Sequence, residues 1–484
     1  MNTIYTILRI SALIGCLTAI LSGCASFTVQ HSATDVVDVP SSWTAADVTA
    51  VNGSTSLVEW WQQFNDPLLS TLVTRALQAN TSVQSAQAAL RQARALRDVS
   101  AAALWPSVGS SVTAQHSTTG DNSTNRFAAG LDASWELDIF GVNRSALSTS
   151  EAALRASSAD LGDVQISIAA EVALDYITLR STQARLLIAT DNLDSQLETL
   201  QITQWRLQAG LVTSLETEQA RSASEQTRAL LPPFQTSIDQ MCHALAVLTG
   251  QPPATLLPLL ATVISLPQAD DALAMSFPAE TLRQRPDVRA AEHLVSASEG
   301  RVAQAQAAQL PNFSLGGSLG LSALTLGALT NGASVVSSLL ASVTMPLFDA
   351  GSLRAQVRAQ QAALDQSVQI YKAAILTALK DVEDALVALR GDRERLVSLQ
   401  FAAEAAGNAS LLARQRDSSG LVDFQVVLET QRTQLSTQDS VATSAAAVSS
   451  DHVRLYKALG GGWQPDGSTA ADTTTPETDR SSRL

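Results

Sequence analysis

The sequence predicts a mainly α-helical chain with a small transmembrane β part, built as two copies of one unit: helix, strand, strand, long helix, turn, long helix. Three features carry that expectation. They are a proline-free heptad repeat from Val142 to Ala209, its recurrence further along the chain, and paired segments of two-residue alternation ahead of each long helix. Apolar residues fall seven apart at Leu147, Leu154, Leu161 and Ile168, step by four to Val172, then resume through Leu179, Leu186, Leu193, Leu200 and Leu207. Such a repeat marks a helix packed along its length in coiled-coil fashion. The four-residue step is a stutter, which locally unwinds the supercoil. At 1.5 Å per residue the rod is roughly 100 Å long. The second rod carries Val357, Leu364, Tyr371 and Ala378, the same stutter to Val382, then Leu389, Leu396 and Ala403. Gly141 and Gly351, Gly210 and Gly420, and Gly250 and Gly460 keep one common offset, so internal repetition sets the fold class.

Taken in order, residues 1–23 read as a signal, because the apolar run at 10–21 behind Arg9 is too short to span a bilayer as a helix. It leads into Leu21-Ser22-Gly23-Cys24, which resembles the bacterial lipobox, so Cys24 is expected to become an acylated N-terminus. Residues 24–58 form an extended lead-in. The first copy covers 59–250. Asp66 caps a helix that Pro67 begins and that is expected to run from Leu68 to about Leu104, before Trp105-Pro106 stops it. A β-hairpin follows over about 106–138. In its second strand Phe127, Ala129, Leu131, Ala133, Trp135 and Leu137 alternate with Ala128, Gly130, Asp132, Ser134, Glu136 and Asp138. Val108, Val112 and Ala114 mark its weaker partner, and the polar loop 117–126 closes it.

The long helical hairpin, about 142–249, turns at Gly210, and Pro232-Pro233 must kink or interrupt its return arm. A proline-punctuated connector, 251–279, leads to the second copy at 280–463. There a helix opens at Leu282 and stops at Leu310-Pro311, a β-hairpin occupies about 311–349, and a helical hairpin of about 352–459 turns at Gly420. The tail 464–484 is polar and is expected to be disordered.

Closure sets the oligomer. Four strands of about ten residues suit a bilayer when tilted, but a membrane sheet must close, and single-chain barrels begin at about eight strands. Three chains give a twelve-stranded β-barrel with their long hairpins forming an α-helical tunnel below it.

A net charge of −14 argues against a nucleic-acid partner. With Cys16 leaving in the signal and Cys24 acylated, Cys242 stands alone, and no intrachain disulfide is expected. The five histidines are scattered without metal-ligand spacing, and no phosphate-binding glycine loop occurs. The glycines at 316, 317 and 320 sit in a strand pattern, where they mark close backbone approach. No enzyme activity, cofactor or metal is expected.

The lipobox at Cys24, the segment from Trp60-Trp61 through Phe64 to Asp66-Pro67, the run from Trp135 to Gly141, the segment from Leu282 to Glu292 and the Gly-Leu-Val turns together resemble the outer-membrane efflux-channel (TolC-like) family. Within it they look most like the nodulation-T (OprM-like) lipoproteins of resistance-nodulation-division pumps. The resemblance runs from the signal to Trp463. It implies a homotrimer in the cell outer membrane, with most of its mass in the periplasm. It also implies a periplasmic adaptor (membrane fusion) protein docked on the tunnel end and an inner-membrane pump behind it. The channel itself would be a passive exit duct. Gly210, Leu211, Val212, Gly420, Leu421 and Val422 then become the adaptor-contact tips, the leucines and valines as exposed apolar groups. Asp417 stands at the seam register of Leu207, where relatives often carry an aromatic residue. With Arg416 and Asp423 it is the candidate for the periplasmic gate, three copies making a charged ring. The stretch 321–333 is unusually apolar for an outer loop. Two other readings remain at this stage: a type I protein-secretion duct, and a non-transporting periplasmic coiled-coil scaffold that would need no strands.

Overall fold

The computed structural model describes residues 57–269, 282 and 284–463. The signal, Cys24, most of the extended lead-in and the 464–484 tail lie outside the described residues. After a short 3-10 segment at Leu57–Phe64 come α1 (Pro67–Ala79), α2 (Thr81–Ala102), β1 (Ser107–Thr119), β2 (Asn122–Leu137), α3 (Val142–Gln208), α4 (Ser214–Arg228) and α5 (Leu231–Leu248). The second half adds α6 (Pro286–Ala307), β3 (Asn312–Ala323), β4 (Val335–Thr344), α7 (Ser352–Ser418) and α8 (Phe424–Ala458). Both long helices, α3 and α7, are 67 residues. Among the described residues no helix is long and apolar enough to cross a membrane.

Several boundaries differ from expectation. The helix expected from Leu68 to Leu104 breaks at Asn80, whose backbone is extended. The Asn80 side chain accepts from Ser82 N (2.8 Å) and donates to the Leu248 carbonyl (2.9 Å), so capping and a tertiary bond outweigh helix continuation. The hairpin loop is shorter than 117–126: Thr119 pairs with Asn122, and Gly120 takes the left-handed conformation between them. The helix expected from Leu282 starts at Pro286, whose ring presets the first helical turn. The connector holds helical turns at Pro253–Leu256 and Leu257–Leu260. Strand β4 ends at Thr344, so Met345 and Leu347 fall beyond it. Pro232 and Pro233 sit in the first turn of α5, and the return arm is interrupted just before them.

The described chain divides into two units. One comprises 101–149 and 298–364 and holds the sheet. Its strands run antiparallel in the order β1-β2-β3-β4, which leaves one edge of β1 and one edge of β4 unpaired. The register stacks like with like. Val112, Ala129, Leu321 and Val335 form one row, and Val108, Ala133, Gly317 and Leu339 another, all on one apolar face. The opposite face carries Gly109, Asp132, Ser318 and Ser338 in a row. There Ser111 donates to Asp132 (3.1 Å), Ser318 bonds Ser338 (2.8 Å), Ser314 bonds Ser342 (2.6 Å), and Asn312 donates to Glu136. The apolar face is bare within the chain, with Val112 and Leu339 largely exposed.

The other unit comprises the described parts of 37–100, 150–297 and 365–484. Its core gathers Trp60, Phe64, Leu69, Val73, Val172, Tyr176, Leu179, Leu245, Leu260 and Tyr456. Trp60 stacks on Tyr456 with centroids 5.5 Å apart. Asp66 caps α1, accepting from Leu68 N and Leu69 N, and its second oxygen accepts a hydrogen bond from the Tyr176 hydroxyl at 2.7 Å. Burial, followed by that carboxylate, pushes the Tyr176 phenol up to about 12.

Candidate functional site

Both long helices end in the same cap. Gly210 N bonds the Leu207 carbonyl and Leu211 N the Arg206 carbonyl, while Gly420 N bonds Asp417 O and Leu421 N bonds Arg416 O. This is the Schellman pattern, and it requires left-handed backbone at the glycine, with φ 73° at Gly210 and 69° at Gly420. Leu211 and Leu421 follow with nothing over them, at 74% and 73% exposed. Val212 and Val422 are half-buried, a correction to the expectation that all four apolar groups stand free.

Asp417 is neither unpaired nor turned outward. Arg206 donates to it from α3 at 2.7 Å, and both side chains are half-buried. The pair joins α3 to α7 within one helical turn of their terminal glycines. Asp423 is the N-cap of α8 and accepts from Gln425 N at 2.8 Å, and Arg416 is exposed beside Asp417.

Arg206 ends a series that the leucine repeat conceals. Arg185, Asn192, Thr199 and Arg206 are also seven apart, each one residue ahead of a seam leucine. Arg185 forms a two-pronged pair with Asp439 at 2.6 and 3.1 Å, Asn192 donates to Gln438 at 2.8 Å, and Thr199 accepts from Gln431 at 3.0 Å. α3 is therefore bolted to α8 by a polar seam, and to α7 at its last rung. Sequence reasoning followed only the apolar period, yet the polar period was there to count.

The segment 282–292 is a structural clamp. Arg285 is buried. It donates to the Ala458 carbonyl at the end of α8 (2.7 Å), to both oxygens of Asp287 (3.0 and 2.7 Å) and to Asp381 on α7 (3.4 Å). Burial alone would pull the guanidinium pKa down, but Asp287 and then Asp381 outweigh it and hold the group charged. A cavity of about 370 Å³ beside the clamp is lined by Asp163, Asp384, Asp451, Arg454 and Lys457, among others. Among the described residues no group of three or more acidic, histidine or cysteine side chains could hold a metal ion.

A family model described as outer membrane efflux protein matches residues 72–251 and 277–461. The pyoverdine export outer membrane protein OpmQ of Pseudomonas aeruginosa is 31% identical over 421 residues, covering 84% of this chain and 88% of that one. The toluene efflux pump outer membrane protein TtgF of Pseudomonas putida is 30% identical over 414 residues, covering 84% and 86%. Among solved structures, the outer-membrane channel OprN superposes with a TM-score of 0.85 at 35% identity, over 90% of this chain and 99% of that one. The open state of the Neisseria gonorrhoeae MtrE outer membrane channel gives 0.77 at 27% identity, over 88% and 96%.

Proposed function

Because this chain belongs to the outer membrane efflux protein family, we propose that it is the outer-membrane channel of a tripartite resistance-nodulation-division efflux system. It is a passive exit duct for small solutes and not an enzyme. The observation that carries the reading is the sheet: one apolar face, one hydrogen-bonded polar face and two unpaired edges. In lipid those edges must be closed, and three copies of four strands make a twelve-stranded barrel with lipid outside and a polar lumen within. The shared length of α3 and α7 and the common offset of their flanking glycines support two copies of one unit per chain. The long helices then form the periplasmic tunnel, and Cys24 carries the lipid anchor.

Gly210 and Gly420 shape the tunnel tips, and Leu211 and Leu421, with Val212 and Val422 beneath them, meet the periplasmic adaptor. Arg416, Asp417 and Asp423 form a charged collar there, and the Arg206–Asp417 pair latches the closed end. Two relatives carry unlike cargoes in their names, pyoverdine and toluene, at nearly equal identity to this chain. Overall likeness therefore does not choose the solute.

Deleting the gene from its host should raise cellular retention of a pump substrate. Wild-type protein should restore export, and a Leu211→Asp plus Leu421→Asp protein should not, while still reaching the outer membrane. Unchanged retention on deletion would remove the efflux reading, and full export by the double variant would remove the tip assignment.

A further inference from the structure

We propose that β3 floors a binding trough on the inner wall of the barrel for organic cations that carry an apolar group, a substrate class resting on the barrel reading above. The polar face of the sheet holds an inversion. Among its serines, carboxylates and amides, β4 places Val336 (52% exposed) and Leu340 (66% exposed). The register sets each beside a residue without a side chain: Val336 pairs with Gly320 and Leu340 with Gly316. A Cβ on Gly316 would meet only backbone oxygens, 3.9 and 4.0 Å away, so the space beside Leu340 is open. Along this face β3 presents Ser314, Gly316, Ser318 and Gly320, all small.

The far side of that floor is acidic. Asp132 pairs with Ser318, which pairs with Ser338 between Val336 and Leu340. Two strand spacings therefore separate the Asp132 backbone from the strand bearing the apolar pair, about 10 Å. Glu136 adds a second carboxylate two same-face steps along β2, beyond Ser134. Each carboxylate accepts one side-chain hydrogen bond, from Ser111 or Asn312, which leaves further lone pairs for a ligand. The basic residue on the same face of β2, Arg126, lies opposite Gln115 and six positions from Asp132, about 20 Å along the strand.

A shallow trough results, with negative charge on one bank, apolar side chains on the other and a glycine-serine bed between. Apolar groups left in a wet lumen gain by being covered, and a confined carboxylate attracts cations. A cation bearing an apolar group satisfies both banks at once. A small polar ion satisfies one.

Ser318→Cys puts a thiol in the bed. The native Cys242 is 2% exposed and burial raises its pKa, so it does not compete for a thiol reagent. The purified trimer is labelled with the membrane-impermeant trimethylammonium-ethyl methanethiosulfonate, with tetraphenylphosphonium or tetramethylammonium as competitor. Tetraphenylphosphonium should slow labelling several-fold and tetramethylammonium should not. Adding Val336→Ser and Leu340→Ser should weaken that protection about tenfold. Leu339→Ser, on the same strand but the opposite face, should leave it unchanged. Protection that survives loss of both apolar side chains, or that never occurs, overturns the trough. A Ser318→Cys trimer that never labels overturns the barrel reading itself, because the bed then does not face an open lumen.

Discussion

The two long helices share a length and an end cap, yet the chain covers them unequally. On α3 the seam at Ile168, Val172, Leu179 and Leu193 is buried, and the polar period beside it is bonded to α8. On α7 the seam is buried from Leu364 to Leu389, but Ile370, Leu376, Val387, Val397, Phe401, Leu411 and Leu412 stand exposed on its other sides. A bare apolar stripe of that extent marks an interaction surface. In the three-chain reading proposed above, α7 offers the broader surface to neighbouring copies, whereas α3 is bonded to its own chain and leaves Leu187, Ile202 and Trp205 exposed.

The sharpest way to break this division is at the clamp that holds α7. Arg285→Ala leaves the Ala458 carbonyl without its donor and Asp287 without its ion-pair partner, while Asp381 keeps Lys380; with both carboxylates about a third exposed, the loss is roughly 2–3 kcal/mol. Chemical denaturation should show that loss. Next comes a paired test. Leu179→Ala should destabilise the chain itself by about 2–5 kcal/mol, as for other large-to-small core changes. Phe401→Ser should leave chain stability nearly unchanged and instead lower the trimer fraction in sedimentation. If both variants lower stability alike, the division of roles is wrong.

Smaller effects sharpen the comparison at the tips. Arg206→Gln removes the ion pair that joins α3 to α7 near their ends. Half-buried pairs contribute only about 1 kcal/mol, so stability should barely move. Resting ion leak in planar bilayers should rise, and a leak equal to wild type would argue against a latch.

The smallest effect is pH-dependent. Burial first, and then Glu171, pushes Asp175 up to about 6. The fold thus favours the neutral carboxyl. That stabilisation is fully present below the ordinary carboxylate pKa and is lost as pH rises through about 6. Asp175→Asn should flatten the dependence of Tm on pH across that window and stabilise the chain at neutral pH by roughly 1 kcal/mol after solvent screening.

Long periodic signals were the most legible part of the sequence. The heptads predicted α3 and α7, and alternation predicted which face of β2 and β3 is apolar, because both periods are enforced over many residues. Short-range competition was harder to read. Asn80 breaks a helix because its side chain finds Leu248, a partner 168 residues away. Asp417 looked like an isolated charge on an apolar seam because its partner Arg206 lies in the other rod. The inversion at Val336 and Leu340 was hidden for a related reason: which face a β4 residue shares depends on its register with β3, and register is a tertiary fact.

The most direct test of the central claim is native mass spectrometry of the mature protein extracted from the outer membrane. Three chains should close one barrel and cover the α7 stripe, so a trimer that survives mild detergent is expected. A stable monomer would contradict it, since four strands cannot close a membrane sheet, and a stable dimer would replace the twelve-stranded barrel with one of eight.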